Sequence, residues 1–547
     1  MSFKKSELLL PGGNLKKVKT AFLYGADSVY VGTPDMSLRS KSEFSLEDLK
    51  EVSRIAKANN KKFYLTLNLF THNRDIERLP QFVQTIGDIN PDGLLIADPG
   101  LFAYFKKHLP KVPLHVSTQA NVCSSLTVDF WGEQGASLVV LAREVTYGEL
   151  VEIKENAEHV KIEAFVHGSM CMTYSGRCLL SNFMSERGAN QGSCSHSCRW
   201  NYKVKVKLKD DKLFELNVNE DNKDLFEFVL EEEFRPDQFF PIEEDGMGSY
   251  ILNSKDLCLL PVLPDYLKIG VDTLKIEGRN KSEYYAAITA RAYRGAIDSY
   301  YENPETWNAK PYMDELETIS NRGYTLAFHN GRLSNLAHQY DVTKTLSQYA
   351  FAGTVEKYEV INGEEFMIFE IRNFLNTGDV IEFISPYYLE PVRVRLYEFY
   401  DIDSKTIKPK ISPGRANQCI RIPLSAFSQL TAEQIKEFLP PLSVARKEWH
   451  NGVYEQHLTH NTVSFNVEKG DASANVLDNI KEKIAITRTE TTLDQKSKKD
   501  YTQINTCCGR GCNGCLVFWN DPQYAKLRDK LKDKKPGEML LKNKINF

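Results

Sequence analysis

Lys161-Ile-Glu-Ala-Phe-Val-His167 is the run on which the fold turns. It is short, rich in residues that favour an extended chain, too apolar to keep one face wet, and it ends on a polar side chain. A run of this kind reads as a strand buried on both faces. Six like it come before: Glu7-Leu-Leu-Leu-Pro11, Ser28-Val-Tyr-Val-Gly32, Lys62-Phe-Tyr-Leu-Thr-Leu-Asn68, Gly93-Leu-Leu-Ile-Ala-Asp98, Leu114-His-Val-Ser-Thr118 and Ser137-Leu-Val-Val-Leu-Ala142. One follows, Thr273-Leu-Lys-Ile-Glu277. Amphipathic stretches at 14–24, 46–58 and 76–89 lie between them. Apolar strands alternating with helices indicate a parallel sheet covered on both sides. Eight such units over about 280 residues fit a (β/α)8 TIM-like barrel better than an open doubly wound sheet, which is the alternative.

The barrel makes a positional claim, because in this fold chemistry gathers at the C-terminal ends of the strands. Those ends carry Gly32, Asn68, Asp98, Gln119, Arg143, His167 and Glu277-Gly278-Arg279. Each alone reads equally well as a loop cap or a solvated side chain. As a set they are too polar for residues that directly follow core strands, and a site is expected there.

The regular alternation breaks after His167, where about a hundred residues precede the eighth strand. The expected organisation is a barrel over 1–301 with a cysteine-bearing insertion at 168–254, and a helical connector at 302–345. A small antiparallel β-barrel follows at 346–425, then a linker at 426–500 and a cysteine-rich, basic module at 501–547. The β domain is read from period-two alternation in Gly353-Thr-Val-Glu-Lys-Tyr-Glu-Val360 and Glu365-Phe-Met-Ile-Phe-Glu-Ile-Arg372, with turn signals at Asn362-Gly363 and Thr377-Gly378.

No run of 18 apolar residues occurs, so no membrane span is expected. The apolar start stops at Pro11, too short for a signal sequence, and a cytoplasmic location is expected. A net charge of −4 argues against a strongly electrostatic nucleic-acid binder overall, although a local patch is enough. The tail from Asp521 onward is one candidate, with eight basic residues against four acidic ones; a solvated helix is the plainer reading.

Eight of the eleven cysteines fall in two clusters, a distribution that suits metal binding better than disulfides in a reducing compartment. Cys171, Cys178, Cys194 and Cys198 form the first. Four neighbouring thiolates hold zinc or an iron–sulfur cluster. Paired tight knuckles mark zinc, and only Cys194 and Cys198 are close, so spacing favours iron–sulfur narrowly and leaves both open. Cys507, Cys508, Cys512 and Cys515 form the second, a candidate second metal site for zinc or iron–sulfur; a redox-active pair is the other reading. Cys258, among Leu257, Leu259 and Leu260, reads as a buried small hydrophobe.

Several motifs resemble the peptidase U32 family: Leu10-Pro-Gly-Gly-Asn-Leu15, Gly25-Ala-Asp-Ser-Val-Tyr-Val-Gly32, Glu163-Ala-Phe-Val-His-Gly-Ser-Met-Cys171, Ser175-Gly-Arg-Cys178, Asn190-Gln-Gly-Ser-Cys194, Cys198-Arg-Trp200, Asn253-Ser-Lys-Asp-Leu257 and Lys275-Ile-Glu-Gly-Arg279. The similarity spans about residues 6 to 420. The family name records a collagenase-type peptidase assignment. Its better-understood branches are iron–sulfur hydroxylation proteins acting on tRNA, ribosomal RNA or ubiquinone precursors. Cys194-x3-Cys198-Arg-Trp and Asn-Ser-Lys-Asp-Leu look most like the tRNA 5-hydroxyuridine branch. The resemblance implies a [4Fe–4S] cluster on Cys171, Cys178, Cys194 and Cys198, prephenate as co-substrate, and tRNA, or else ribosomal RNA, as the target. The C-terminal Cys-Cys-Gly-Arg-Gly-Cys-Asn-Gly-Cys module departs from the shorter members.

An iron–sulfur-dependent RNA hydroxylase is therefore expected, with a U32-type peptidase as the alternative. No Gly-x-Ser-x-Gly elbow or His-Glu-x-x-His motif supports the latter. A small anionic dicarboxylate needs cations, and arginine suits carboxylates best. Arg143 and Arg279 are the candidates for cofactor binding, with His167 and Asn68 placed to orient substrate or move protons. A structural salt bridge, Arg279 to Glu277 or Arg143 to Glu144, is the plainer reading of the arginines.

Overall fold

The computed structural model describes residues 5–33, 44–68, 71–157, 159–170, 174–176, 254–331, 348–414, 417–428 and 430–448, with isolated strands between 205 and 250. Eight parallel strands form a closed ring: β1 (Glu7–Gly12), β2 (Ser28–Gly32), β3 (Lys62–Leu67), β4 (Gly93–Ile96), β5 (Leu114–Val116), β6 (Ala136–Val140), β7 (Lys161–Ser169) and β8 (Thr273–Ile276). Each lies where sequence places it. Strand β8 closes the ring by pairing with β7 on one side and β1 on the other. Their apolar residues pack outward against α1 (Leu15–Leu23), α2 (Leu46–Ala58), α3 (Leu79–Ile89), α4 (Pro99–His108), α5 (Ser125–Glu133), α6 (Tyr147–Asn156), α7 (Leu263–Lys268) and α8 (Glu283–Glu302). Side-chain caps begin several helices: Asn14 accepts from Lys17 N, Thr146 from Glu149 N and Ser282 from Tyr285 N.

A repeated device fixes register at the barrel's N-terminal end. Asp27, Asp92 and Asp272 each immediately precede an even-numbered strand. Their carboxylates accept from the N–H of Leu8, Phe63 and Ile162 at 2.9, 3.0 and 3.0 Å. Their own N–H groups donate back to the carbonyls of the same three residues. Each aspartate thus joins two neighbouring strands at a point where the ladder has run out, satisfying a backbone donor that burial would otherwise penalise.

The insertion leaves and returns at one place. Ser169, Gly168 and His167 at the end of β7 pair antiparallel with Asp256–Cys258, whose other edge takes Tyr324–Thr325 in parallel. The chain then runs through α7 into β8.

The second layer is an antiparallel sheet of eight strands: β9 (Tyr349–Ile361), β10 (Glu364–Ile371), β11 (Val380–Phe383), β12 (Val392–Arg395), β13 (Phe399–Asp401), β14 (Thr406–Lys408), β15 (Cys419–Pro423) and β16 (Val444–Glu448). Their order is β12-β11-β16-β9-β10-β15-β13-β14, and they curl about a core including Val355, Met367, Phe369, Phe383, Phe399 and Ile420. The expected boundary at 425 is too early. Strand β16 pairs centrally with both β9 and β11, and helix Ala432–Phe438 precedes it. A non-local pairing partner carries no local signature that separates it from a linker. Among the described residues of the connector lies a short helix, Lys310–Leu316. Residues 451–547, including Cys507, Cys508, Cys512 and Cys515, lie outside the described residues, as does the basic tail.

Barrel and sheet are joined by polar contacts. The buried Tyr24 hydroxyl donates to Ile384 O at 2.6 Å and accepts from Val444 N at 3.0 Å. Lys16 reaches Glu356 and Glu370 on the sheet, and Arg372 lies 3.3 Å from Glu283 on the first turn of α8. Tyr24→Phe leaves a buried carbonyl and a buried N–H without partners, at about 1–3 kcal/mol for each. We expect a lower Tm by calorimetry, with the sheet's transition separating from the barrel's.

Candidate functional site

The C-terminal mouth of the barrel gathers the polar strand ends. Alternation on β7 and β8 turns Glu163, Phe165, Lys275 and Glu277 inward. Lys275 Nζ donates to Glu163 Oε1 at 2.6 Å, and both side chains are buried. Burial pushes the Glu163 carboxyl above its usual range against the pull of Lys275. Lys275 also lies 4.5 Å from the Tyr30 ring centre and 5.4 Å from that of Phe165. Arg143 covers the Phe165 ring at 3.9 Å and Arg279 sits 5.7 Å from Tyr30. Two aromatic rings thus stand among three cations, whose π faces favour the positive charges they touch.

Two carboxylates complete the set. Glu277 accepts from the Tyr30 hydroxyl at 3.1 Å and lies 3.9 Å from Arg143. The salt bridge anticipated for Arg143 forms with Glu277. Glu144 instead accepts from Ser175 N and Oγ at 2.8 and 3.0 Å. Arg279 Nη1 donates to Thr66 Oγ1 at 2.9 Å. Asn68 is nearly buried at the end of β3 and donates toward Ser117 Oγ and Gln119 Oε1 at 3.4 and 3.3 Å. Asp98 has a capping role, accepting from Leu101 N on α4. Arg143, Arg279 and Asn68 are therefore all mouth residues, and the first two share the Tyr30–Glu277 contact.

His167 takes another direction. A bulge between Lys275 and Ile276 shifts the β7–β8 register, so that His167 pairs with Ile276, an outward residue. Its ring lies 5.5–5.9 Å from those of Tyr285, Tyr293 and Tyr324 and lines a small polar cavity with Asp256, Lys281 and Asn321. Burial lowers its pKa to about 4 despite the nearby Asp256 carboxylate, so it is neutral at pH 7. Gly168 makes the turn possible: its φ is +117°, and a Cβ there would stand 2.5 Å from Glu277 O.

Sequence reasoning missed Tyr30, Phe165, Lys275 and Glu163. The available signal was a charge in the middle of two otherwise apolar strands, which a buried sheet tolerates only when paired. At the opposite end of the barrel a basin of about 480 Å³ is lined by Glu7, Lys62, Tyr64, His115 and Lys161 among others. There Glu7 is held by Lys62, Ser28 and Tyr64, and burial lowers the His115 pKa to about 3.

All four cysteines of the first cluster, Cys171, Cys178, Cys194 and Cys198, lie outside the described residues. Their sequence neighbours do not. Met170 is buried at the end of β7, and Ser175 is held by Glu144. Gly176, at φ +75°, packs so closely that a Cβ would stand 2.6 Å from Gln119 O. Cys258, by contrast, is buried against Tyr293 and Met313, and burial raises its thiol pKa to about 11.

The profile of peptidase family U32 matches residues 13–339. The chain belongs to this family. Among its relatives, tRNA hydroxylation protein P of Escherichia coli (strain K12) is 37% identical over 404 residues, covering 70% of this chain and 86% of that protein. tRNA hydroxylation protein P1 of Bacillus subtilis (strain 168) is 35% identical over 385 residues, covering 70% and 84%. A collagenase of Porphyromonas gingivalis (strain ATCC BAA-308 / W83) is 27% identical over 429 residues, covering 75% and 95%. Among the described residues no helix of this U32 member is long and apolar enough to cross a membrane.

Two outcomes follow for the U32 site. Lys275→Ala strands the Glu163 carboxylate and is expected to cost about 3–5 kcal/mol, whereas Lys275→Met with Glu163→Leu is near neutral; urea melts distinguish them. Both buried histidines have folded pKa values below that of the unfolded chain. The unfolded state therefore binds more protons as pH falls below about 6.5, and stability drops. Near pH 5 the loss is about 1–2 kcal/mol per histidine, and Tm measured against pH should flatten in His115→Asn and His167→Asn.

Proposed function

We propose that this U32 protein hydroxylates tRNA, forming 5-hydroxyuridine with prephenate as co-substrate and a [4Fe–4S] cluster on Cys171, Cys178, Cys194 and Cys198. The observation that carries the reading is the mouth itself: among the described residues Arg143, Lys275 and Arg279 converge there on Tyr30 and Phe165, with Glu163 and Glu277 beside them. Burial also pushes one of these, Glu163, toward its neutral form. A dianionic carboxylate suits three converging cations, and guanidinium forks hold it best. The names of two relatives support tRNA as the substrate.

The donor set fits an iron–sulfur cluster, being four thiolates. The residues beside Cys171 and Cys178 are anchored at this same mouth through Met170, Ser175 and Gly176. Such a cluster supplies one-electron chemistry when bound. The chain's own residues do the rest. Arg143 and Arg279 bind and orient the dicarboxylate. Tyr30 holds Glu277 so that it tethers Arg143, and Asn68 presents its amide group beside Ser117 and Gln119. His167, neutral and enclosed by tyrosines, positions the end of β7.

A peptidase reading is favoured by the names of two relatives, the collagenase and an uncharacterized protease of Methanocaldococcus jannaschii. Against it, His167 is 1% exposed and packed among tyrosine rings.

Nucleoside mass spectrometry of a deletion strain should show loss of one hydroxylated uridine, mimicked by blocking prephenate synthesis. Unchanged RNA with gelatin cleavage by the pure protein would replace this reading with the peptidase. Iron content and visible absorption should vanish in each of the four Cys→Ala variants and persist in Cys258→Ala. Arg143→Ala and Arg279→Ala should weaken prephenate about ten- to a hundred-fold by calorimetry, with iron retained. Intact affinity and a lowered Tm would make these arginines rim salt bridges only.

A further inference from the structure

The curled sheet carries an exposed face that its own core does not explain. Tyr397 is 68% exposed and Phe374 37% exposed, both large for side chains on a solvated surface. Three contacts bring them into one cluster. Thr377 Oγ1 donates to Tyr397 O. Arg395 Nη1 donates to Gly378 O at 2.9 Å. Leu375–Asn376 pairs antiparallel with Lys410–Ile411. Phe374, Arg395, Tyr397 and Lys410 therefore stand on segments that meet at the turn Asn376–Gly378. Among the described residues no carboxylate pairs with Arg395 or Lys410, although both are exposed. The nearby Asp379 is engaged by Lys447 at 2.7 Å.

The position of this face is informative. Phe374 lies two residues beyond Arg372, whose guanidinium reaches Glu283 on the first turn of α8. That helix begins four residues after Arg279, and Tyr284 beside Glu283 stacks on Phe351 of the sheet. The face is thus tied to the C-terminal end of the barrel, where the mouth opens.

We propose that Phe374 and Tyr397, with Arg395 and Lys410, form a platform for unpaired nucleotides of the RNA whose target base enters the mouth. This rests on the tRNA reading above and names the surface that holds the substrate. Exposed rings accept bases of any identity by stacking, while unpaired cations follow the phosphates. Two rings flanked by two uncompensated positive charges favour this partner over a protein surface, which would call for a larger apolar area.

The test uses the full chain and an unmodified tRNA transcript in fluorescence anisotropy. Phe374→Ala with Tyr397→Ala should raise Kd about ten- to a hundred-fold, with the parent's melting temperature. Tyr397→Trp in the otherwise native chain should retain parent affinity. Lys410→Gln should reduce the slope of log affinity against log salt by about one. A single-stranded oligonucleotide should lose more affinity in the double variant than a duplex of the same sequence. If the parent binds tRNA and the double variant binds it equally well, the platform is refuted while the tRNA reading stands. If the parent binds no tRNA, both fall. If the double variant keeps RNA affinity but sheds a co-purifying protein, the face is a protein contact and the platform is refuted.

Discussion

Closure of the barrel depends on one strand being hydrogen-bonded on both edges. Strand β8 must find Glu163 and Ala164 on one side and Glu7 and Leu8 on the other, with Thr273 and Leu274 serving both. That register sets Lys275 beside Glu163 inside the ring, where neither charge could persist alone. It also sets Glu277 and Arg279 at the rim opposite Tyr30 and Thr66. The mouth's electrostatics are therefore a consequence of the seam. A slip of one residue would turn Lys275 outward against α8 and carry the whole cationic set away.

The sheet is attached through tyrosine, lysine and arginine contacts around an apolar seam where Ile384 and Val444 join the barrel's core. Arg291 bridges Glu315 and the carbonyls of Ser385 and Tyr388, and Arg446 bridges Glu315 and Glu382. These are directional bonds, so they define an angle as well as an attachment. Buried charges of this kind contribute less to net stability than to choosing one arrangement over others.

Much of this was legible in the residues. All eight barrel strands carry the apolar signature that burial on both faces demands, and the mouth positions of Asn68, Arg143 and Arg279 follow from strand ends alone. What escaped was what a single chain segment cannot encode. The bulge that turns His167 outward arises from the match between β7 and β8, two strands separated by the whole insertion. Strand β16 looks like linker because its pairing partners lie some 90 residues upstream in β9 and about 60 upstream in β11. Lys275 and Glu163 were visible as anomalies, yet only their apposition gives them a role. The exchange of Glu144 for Glu277 as partner of Arg143 likewise depends on Ser175 arriving from the insertion.

The adjacency of Ser169 and Asp256 has a bearing on how this family diversifies. Because the excursion departs and rejoins across one pair of neighbouring residues, the barrel experiences it as a handle with a fixed footprint. Material within the handle can lengthen, shorten or be exchanged for another sequence while the ring's geometry stays as it is. Loop-closure entropy rises only slowly with length, so such exchanges are thermodynamically mild. A chimaera carrying another member's handle between these two residues would set a different sequence on an unaltered frame.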